Sequence, residues 1–140
     1  AANQTAYNGL QALMQRVGLG AWIDAEADAM PYGALKRLEI ARALAGEPKL
    51  LLLDEPAAGL NPTEAHEIDG LIRELARSGM AVLLVEHNMR LVMEVSDRVL
   101  VLDGGARLAE GTPAEVARNP RVIEAYLGAG IDSASEAAHA

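Results

Sequence analysis

The sequence contains no cysteine and no phenylalanine, and it has one tryptophan and three tyrosines among 140 residues. The absence of cysteine excludes a disulfide framework and a thiolate metal site. The scarcity of aromatic residues leaves Leu, Val, Ile, Met and Ala to build the core of a chain that is 51% hydrophobic. No apolar run approaches the roughly 20 residues that a membrane-spanning helix needs. We therefore expect an aliphatic globular chain with no direct membrane span.

Positive charge is also scarce, because 12 Lys and Arg stand against 20 Asp and Glu and give a net charge of -8. A free-standing nucleic-acid binder usually carries a basic surface, so nucleic acid is not expected as a partner. The first residues lack a charged region followed by an apolar stretch, so we expect no secretion signal. The chain does not begin with Met, and we expect it to be processed or cut from a longer protein.

Hydrophobic periodicity predicts helices alternating with strands. Apolar residues at helical spacing predict a helix over residues 10–17, and a second helix is expected from about Gly33 to Leu44. The short apolar run Leu50–Leu53 lies between two prolines, which is typical of a strand buried on both faces. Asn61 and Glu64 have the spacing of a helix-capping box, and that helix should end near residue 78.

A second apolar strand is expected over residues 80–85, and a short helix should start near Met89. Asp103-Gly104-Gly105 predicts the turn of a β-hairpin, and Thr112 and Asn119 each precede a proline at an expected helix start. Strands alternating with helices favour an α/β fold with a largely parallel sheet flanked by helices.

Polar residues follow two of the expected strands, where chemistry gathers in parallel sheets. Asp54 could hold a magnesium ion, and Glu55 could orient or deprotonate a water molecule. The alternative is a pair of solvated surface acids. His87 could bond a phosphate or a water, whereas a lone histidine is more often satisfied by backbone groups.

Gly33 stands at the expected start of a helix, where free N–H groups and the helix dipole favour a phosphate. A glycine there permits close approach of the backbone to a ligand. The alternative is an ordinary helix start that follows a proline-containing turn.

Five segments occur in one order along the chain: Tyr32-Gly33, Arg37–Leu44, Leu50–Pro56, Gly59–Pro62 and Glu86-His87. Their order and approximate spacing resemble those of ATP-binding cassette (ABC) ATPases, and the resemblance covers nearly the whole chain from Met14 to Gly128. It implies the C-terminal part of a P-loop NTPase (RecA-like) lobe with part of the helical subdomain. The implied division is a partial helical subdomain over 1–45, a core over 46–111, a helical tail over 112–128 and a disordered end over 129–140.

The resemblance also implies roles for individual residues. Met30 to Ala34 match the signature segment, and Ala57 to Asn61 match the D-loop. Asp54 ends the Walker B strand as the magnesium ligand, while Glu55 and His87 match the catalytic glutamate and the switch histidine. The implied contacts to ATP are Tyr32, Gly33, Ala34, Asp54, Gly59 and Asn61.

The tail narrows the resemblance to one group. Glu110–Pro113, Asn119-Pro120 and Val122–Gly128 are similar to the tail of ATPases that energise branched-chain amino-acid import, although lipopolysaccharide exporters share some of it. The implied partners are a second ABC ATPase subunit and membrane permease subunits. The implied location is cytoplasmic, peripheral on the inner face of the cell membrane.

Several family features are missing. The usual signature Leu-Ser-Gly-Gly-Gln is replaced by Met30-Pro31-Tyr32-Gly33-Ala34, so its hydroxyl and amide side chains are absent. Asn61 and Asn88 stand where Asp is more usual. Neither Lys36 nor Lys49 ends a Gly-x-x-x-x-Gly-Lys-Ser/Thr motif, so we expect weak ATP binding and negligible hydrolysis by these 140 residues alone.

Three functions remain open on the sequence alone: part of a transport ATPase, a non-catalytic partner module, and an unrelated α/β protein. A lobe without its first strands would also expose an apolar face. We therefore expect the isolated chain to self-associate.

Overall fold

The structure, a computed structural model, describes residues 2–127. The end that the sequence predicts to be disordered, 129–140, lies outside the described residues. The chain forms two compact units, one ending at Val85 and the next beginning at Glu86. The division that the family resemblance implies, at residues 45 and 111, stays a prediction.

The first unit begins with two helices, which are followed by a strand, a third helix and a second strand. Their bounds are α1 Ala2–Arg16, α2 Tyr32–Leu44, β1 Leu50–Asp54, α3 Pro62–Arg77 and β2 Ala81–Val85. A short 3-10 turn, Gly20–Trp22, follows α1, and the N–H of Trp22 donates to the carbonyl of Leu19 at 2.9 Å. Leu19 has no exposed surface, so this turn is anchored in the core.

Strands β1 and β2 pair in parallel, with Leu52 opposite Leu83 and Asp54 opposite Val85. Helix α3 connects them, as parallel strands require a crossover of a dozen residues or more. The parallel pairing expected from the alternation of strands and helices is therefore confirmed. It brings the carboxyl ends of both strands to one edge of the sheet.

The expectation that the first strand is buried on both faces is wrong. Leu51 and Leu53 are 3% and 9% exposed, whereas Leu50 and Leu52 are 52% and 64% exposed. Successive side chains of a strand point to opposite faces, and among residues 2–127 only one face of this sheet is covered. The exposed face, named here the open sheet face, consists of Leu50, Leu52, Leu83 and Val85.

Helix α2 is held in the first unit by an arginine that contacts two other elements. One guanidinium nitrogen of Arg37 donates to the carbonyl of Gly18 at 3.3 Å, just after α1. The other lies 3.4 Å from a carboxylate oxygen of Glu67 in α3. Aliphatic residues of α3, among them Ile68 and Leu75, are fully buried. The contacts of Arg37 tie α2 both to the chain after α1 and to α3.

The second unit begins with a short helix and a β-hairpin. Its elements are α4 Met89–Val95, β3 Val99–Asp103, β4 Ala106–Gly111, α5 Pro113–Ala117, the turn Pro120–Val122 and a π-helical turn Ile123–Leu127. Gly104 and Gly105 both have positive φ in the two-residue hairpin turn, which is the turn that the sequence predicts. Val99, Val101, Val116 and Val122 form the core of this unit.

The tail is attached to the hairpin through Tyr126, whose hydroxyl donates to the carbonyl of Leu102 at 2.6 Å. The expected helix starts at Thr112 and Asn119 are confirmed, because both side chains accept hydrogen bonds from the turns that follow them. No helix within residues 2–127 is both long enough and apolar enough to cross a membrane.

Candidate functional site

The two adjacent acids lie at the carboxyl end of β1. Asp54 is the last residue of the strand, and its side chain is exposed. Glu55 has φ +45, a left-handed conformation that is uncommon for residues other than glycine and is concentrated at functional sites. Its N–H donates to the carbonyl of Val85 at 2.8 Å, so β2 fixes the backbone at the point where the chain turns.

The loop after Glu55 is closed by backbone hydrogen bonds and leads directly into α3. The N–H of Ala58 donates to the carbonyl of Glu55 at 3.1 Å, and Gly59 takes φ +75. Asn61 then caps α3: its side-chain oxygen accepts from the N–H of Glu64 at 2.9 Å, and its N–H donates to the carboxylate of Glu64 at 3.1 Å. The capping box predicted from the sequence is confirmed.

The segment 30–34 lies against this loop. Tyr32, half exposed at 51%, donates from its hydroxyl to the carbonyl of Ala58 at 3.4 Å. Gly33 and Ala34 are buried in the first turn of α2, and α2 begins at Tyr32, close to the expected position. The first unit therefore brings Tyr32 and Gly33 next to the loop that contains Gly59 and Asn61. No local pattern in the sequence predicts this proximity.

Asp54 also lines a cleft of about 180 Å³ between α2 and β1. Lys36 and Ile40 of α2 form one side of this cleft, and Pro56 lies beside the acid. The ammonium group of Lys36 lies 5.6 Å from the centre of the Tyr32 ring. The cleft also contains Glu39, whose carboxylate lies 3.8 Å from the Lys36 ammonium. Aliphatic walls with two carboxylates and one ammonium group can orient a polar ligand.

The carboxylates at the end of β1 could hold magnesium only if a phosphate ligand supplied further oxygen atoms. Within residues 2–127, no three His, Cys, Asp or Glu side chains converge as a metal site. Magnesium at nucleotide sites needs one or two carboxylates, because phosphates and water supply the other oxygens. Asp54 satisfies that requirement at the end of β1, and Glu55 offers a second carboxylate beside it.

His87 belongs to the second unit, in the short connection before α4. It is exposed. The next residue, Asn88, accepts from the N–H of Leu91 at 3.2 Å and caps α4, while its own N–H donates to the carboxylate of Glu86 at 3.4 Å. This capping role of Asn88 is not among the roles that the family resemblance implies. The position of Asn88 directly before a helix was a signal for capping, a role that asparagine performs as well as aspartate.

Family models match both ends of the chain. The model described as "ABC transporter" matches residues 2–58, and the model described as "Branched-chain amino acid ATP-binding cassette transporter" matches residues 106–132. The first match includes the segment 30–34 and the acids at 54 and 55. The second includes β4 and the helical tail.

Curated relatives match the middle of the chain as well. A high-affinity branched-chain amino acid transport ATP-binding protein, LivG of Salmonella typhimurium, is 50% identical over 116 residues, which are 82% of this chain and 46% of the relative. A lipopolysaccharide export system ATP-binding protein, LptB of Acidithiobacillus ferridurans, is 40% identical over 83% of this chain and 48% of that protein. The chain thus spans about half the length of the curated relatives that it matches.

Among solved structures, the ADP conformation of an ATP-binding cassette of an ABC transporter superposes with a TM-score of 0.76. It is 32% identical, and the match covers 85% of this chain and 48% of that chain. This likeness confirms the α/β fold of the P-loop NTPase class. The chain therefore belongs to the ATP-binding family of ABC transporters, with homologues among the branched-chain amino acid transport ATPases.

Proposed function

We propose that the chain is part of the ATP-hydrolysing subunit of an ABC importer for branched-chain amino acids. The observation that carries the proposal is the left-handed backbone of Glu55 directly after Asp54, at the end of a parallel strand. Such strain persists only where the surrounding structure imposes it. Here the hydrogen bond to the carbonyl of Val85 holds Glu55 in place.

In this proposal Asp54 holds magnesium, which when bound neutralises charge on the ATP phosphates. Glu55 acts as general base and accepts a proton from the attacking water. His87 donates a hydrogen bond to the γ-phosphate. Tyr32, Gly33, Ala34, Gly59 and Asn61 belong to the part of the chain that meets ATP held by a second ABC ATPase subunit.

The partners and location follow from the same proposal. Two such subunits work on permease subunits in the membrane, at its cytoplasmic face. The preference for import of branched-chain amino acids rests on the names of the relatives at about 50% identity and on the match at residues 106–132. The lower identity to LptB, 40%, makes a lipopolysaccharide exporter the less favoured transporter type.

The sequence of 140 residues contains no Gly-x-x-x-x-Gly-Lys-Ser/Thr motif. The backbone N–H groups and lysine of that motif grip the β- and γ-phosphates. We therefore propose that these residues alone hydrolyse ATP negligibly, and that activity requires a P-loop lobe on the same polypeptide or supplied with it.

The test is to join the chain to a P-loop lobe of a LivG relative and to measure release of inorganic phosphate. Glu55→Gln should lower the rate at least about 100-fold, since a general base contributes roughly that much. Glu47→Gln is a matched control, because Glu47 is also exposed and has φ 50. A joined protein that hydrolyses ATP equally well with Glu55→Gln would remove the assigned role.

A second candidate is a non-catalytic module that binds a permease or a partner ATPase. The observation that favours it is the segment Met30–Ala34, which lacks the serine and glutamine of the usual signature. Such a module would bind permease subunits equally well with and without ATP. Binding that strengthens with ATP and weakens with Asp54→Ala would instead support the ATPase.

A further inference from the structure

Gly33 is in tight contact with a side chain of another helix. A methyl group built at Gly33 would lie 2.8 Å from both the carboxyl carbon and one carboxylate oxygen of Glu64, and 3.0 Å from its γ-carbon. The two separations of 2.8 Å are shorter than real β-carbons essentially ever show. The space that a β-carbon would need at position 33 is therefore occupied by Glu64.

The Glu64 side chain cannot move aside without losing a hydrogen bond of the helix cap. Its second carboxylate oxygen accepts from the N–H of Asn61 at 3.1 Å, and its own N–H donates to the side chain of Asn61 at 2.9 Å. These reciprocal bonds satisfy two N–H groups at the start of α3 that would otherwise lack partners. A larger residue at position 33 would push the carboxylate out of this capping box.

Tyr32, the residue before Gly33, contacts the loop Ala57–Asn61 that leads into α3. The Tyr32 hydroxyl donates to the carbonyl of Ala58, and a methyl group at Gly59 would lie 3.2 Å from the Tyr32 ring. Gly59 has φ +75, so its conformation also favours glycine. Two neighbouring residues of α2 thus contact both the loop and the first turn of α3.

We propose that Tyr32 and Glu64 are positioning residues that join the segment Met30–Ala34 and the loop Ala57–Asn61 in one body, and that Glu64 is the reason residue 33 is glycine. The requirement for glycine then arises inside this chain, separately from any approach of a phosphate. In the ATPase proposed above, on which this consequence rests, both surfaces would meet the second subunit's nucleotide as a single piece.

The test is a double-variant cycle read by amide hydrogen exchange, in the polypeptide that carries these residues. Gly33→Ala should speed exchange at the N–H of Asn61, which would lose the Glu64 carboxylate as its acceptor, on the order of fivefold, the factor that corresponds to a lost cap. In a Glu64→Ala background, Gly33→Ala should add nothing further. Gly70→Ala is the matched control, because nothing lies within 4 Å of a methyl group at that helical glycine.

A conservative variant separates positioning from simple loss of packing. Glu64→Gln keeps an oxygen that can accept from the N–H of Asn61, so it should preserve slow exchange that Glu64→Ala loses. Tyr32→Phe should speed exchange of the Leu60 N–H, whereas Tyr7→Phe, an exposed site in α1, should not. The N–H of Leu75, buried in α3, should be unaffected throughout and so report on global unfolding.

Gly33→Ala that is equally damaging with and without Glu64 would overturn the proposal. If the Gly33→Ala variant folded only when Glu64→Ala was also present, that result would support the proposal as strongly as the exchange data. In an active ATPase, Glu64→Ala should lower kcat and leave KM for ATP unchanged, since Glu64 has no assigned contact with ATP. Exchange results do not need hydrolysis, so a failed ATPase assay would count against the proposed function alone.

Discussion

At the scale of single residues, two glutamates within residues 2–127 have left-handed backbones, Glu55 at φ 45 and Glu47 at φ 50. They differ in position: Glu55 follows Asp54 at the end of β1, and Glu47 lies in the turn before that strand. Both residues are exposed glutamates with the same unfavourable backbone conformation. Equivalent substitutions at the two positions therefore distinguish an effect of backbone strain from an effect of the carboxylate on chemistry.

We predict that Glu55→Gly and Glu47→Gly each change the free energy of unfolding by less than about 1 kcal/mol. Glycine relieves the left-handed strain but loses more conformational freedom on folding, and the two effects offset each other. Chemical denaturation measures this free energy. Phosphate release by the protein joined to a P-loop lobe should vanish with Glu55→Gly and persist with Glu47→Gly. Equal loss of activity in both variants would contradict a chemical role for Glu55.

Sequence reasoning could identify Asp54 and Glu55 because their signal is local: an apolar run followed at once by two acids. It could not foresee the backbone conformation of Glu55, which depends on a hydrogen bond to Val85, 30 positions later in the chain numbering. The contact of Tyr32 with Ala58 was missed for a similar reason, since it depends on how α2 packs near α3. Contacts across long sequence separations leave no mark in a single sequence.

At the scale of elements, the capping boxes at Asn61 and Thr112 were predictable, because each is complete within four residues. In the second box the N–H of Thr112 donates to the carboxylate of Glu115 at 2.8 Å. That backbone hydrogen bond, and secondly the side chain of Thr112, holds the pKa of Glu115 below its ordinary value of 4.5.

We predict that the start of α5 is stabilised by ionised Glu115 above pH 4.5 and loses that contribution as the pH falls below it. The sign follows because a carboxyl group with a lowered pKa in the folded state favours folding only while it is ionised. An NMR titration of the Glu115 carboxyl carbon should give a midpoint below 4.5.

The control is Glu115→Gln, which can still accept from the N–H of Thr112 but does not titrate. In that variant, amide exchange at the start of α5 should lose its dependence on this acidic pH range. A titration midpoint for Glu115 at or above the ordinary value would contradict the prediction.

The faces of the strands were less predictable than their positions. Alternating burial of β1 could not be distinguished from burial on both faces, since every side chain in Leu50–Leu53 is leucine. Which face is covered depends on the elements that pack on the sheet. Capping residues mark the ends of helices in the sequence. A strand in which every residue is apolar contains no comparable mark of its buried face.

At the scale of the whole molecule, the open sheet face exposes four large apolar side chains on two paired strands. Leu52 and Leu83 are paired across β1 and β2, and they are 64% and 56% exposed. We predict that the isolated chain self-associates, because burial of these apolar side chains between two molecules removes them from water and lowers the free energy. Sedimentation velocity at increasing protein concentration measures this association.

The combined change Leu52→Glu and Leu83→Lys should reduce self-association, because it places opposite charges on an exposed pair of strands. Leu51→Glu, on the covered face, should instead destabilise folding by about 3 kcal/mol or more through burial of an unpaired charge. A wild-type chain that sediments as a monomer at all concentrations would contradict the prediction.

The short turn after α1 contains a residue whose fluorescence can be used to follow unfolding. Trp22 is the single tryptophan of the sequence, and it lies in the unit that ends at Val85. Indole fluorescence therefore reports on that unit alone, while circular dichroism reports on helices and strands in both. A difference between the two melting curves would show that the units unfold as separate cooperative blocks, without any added dye.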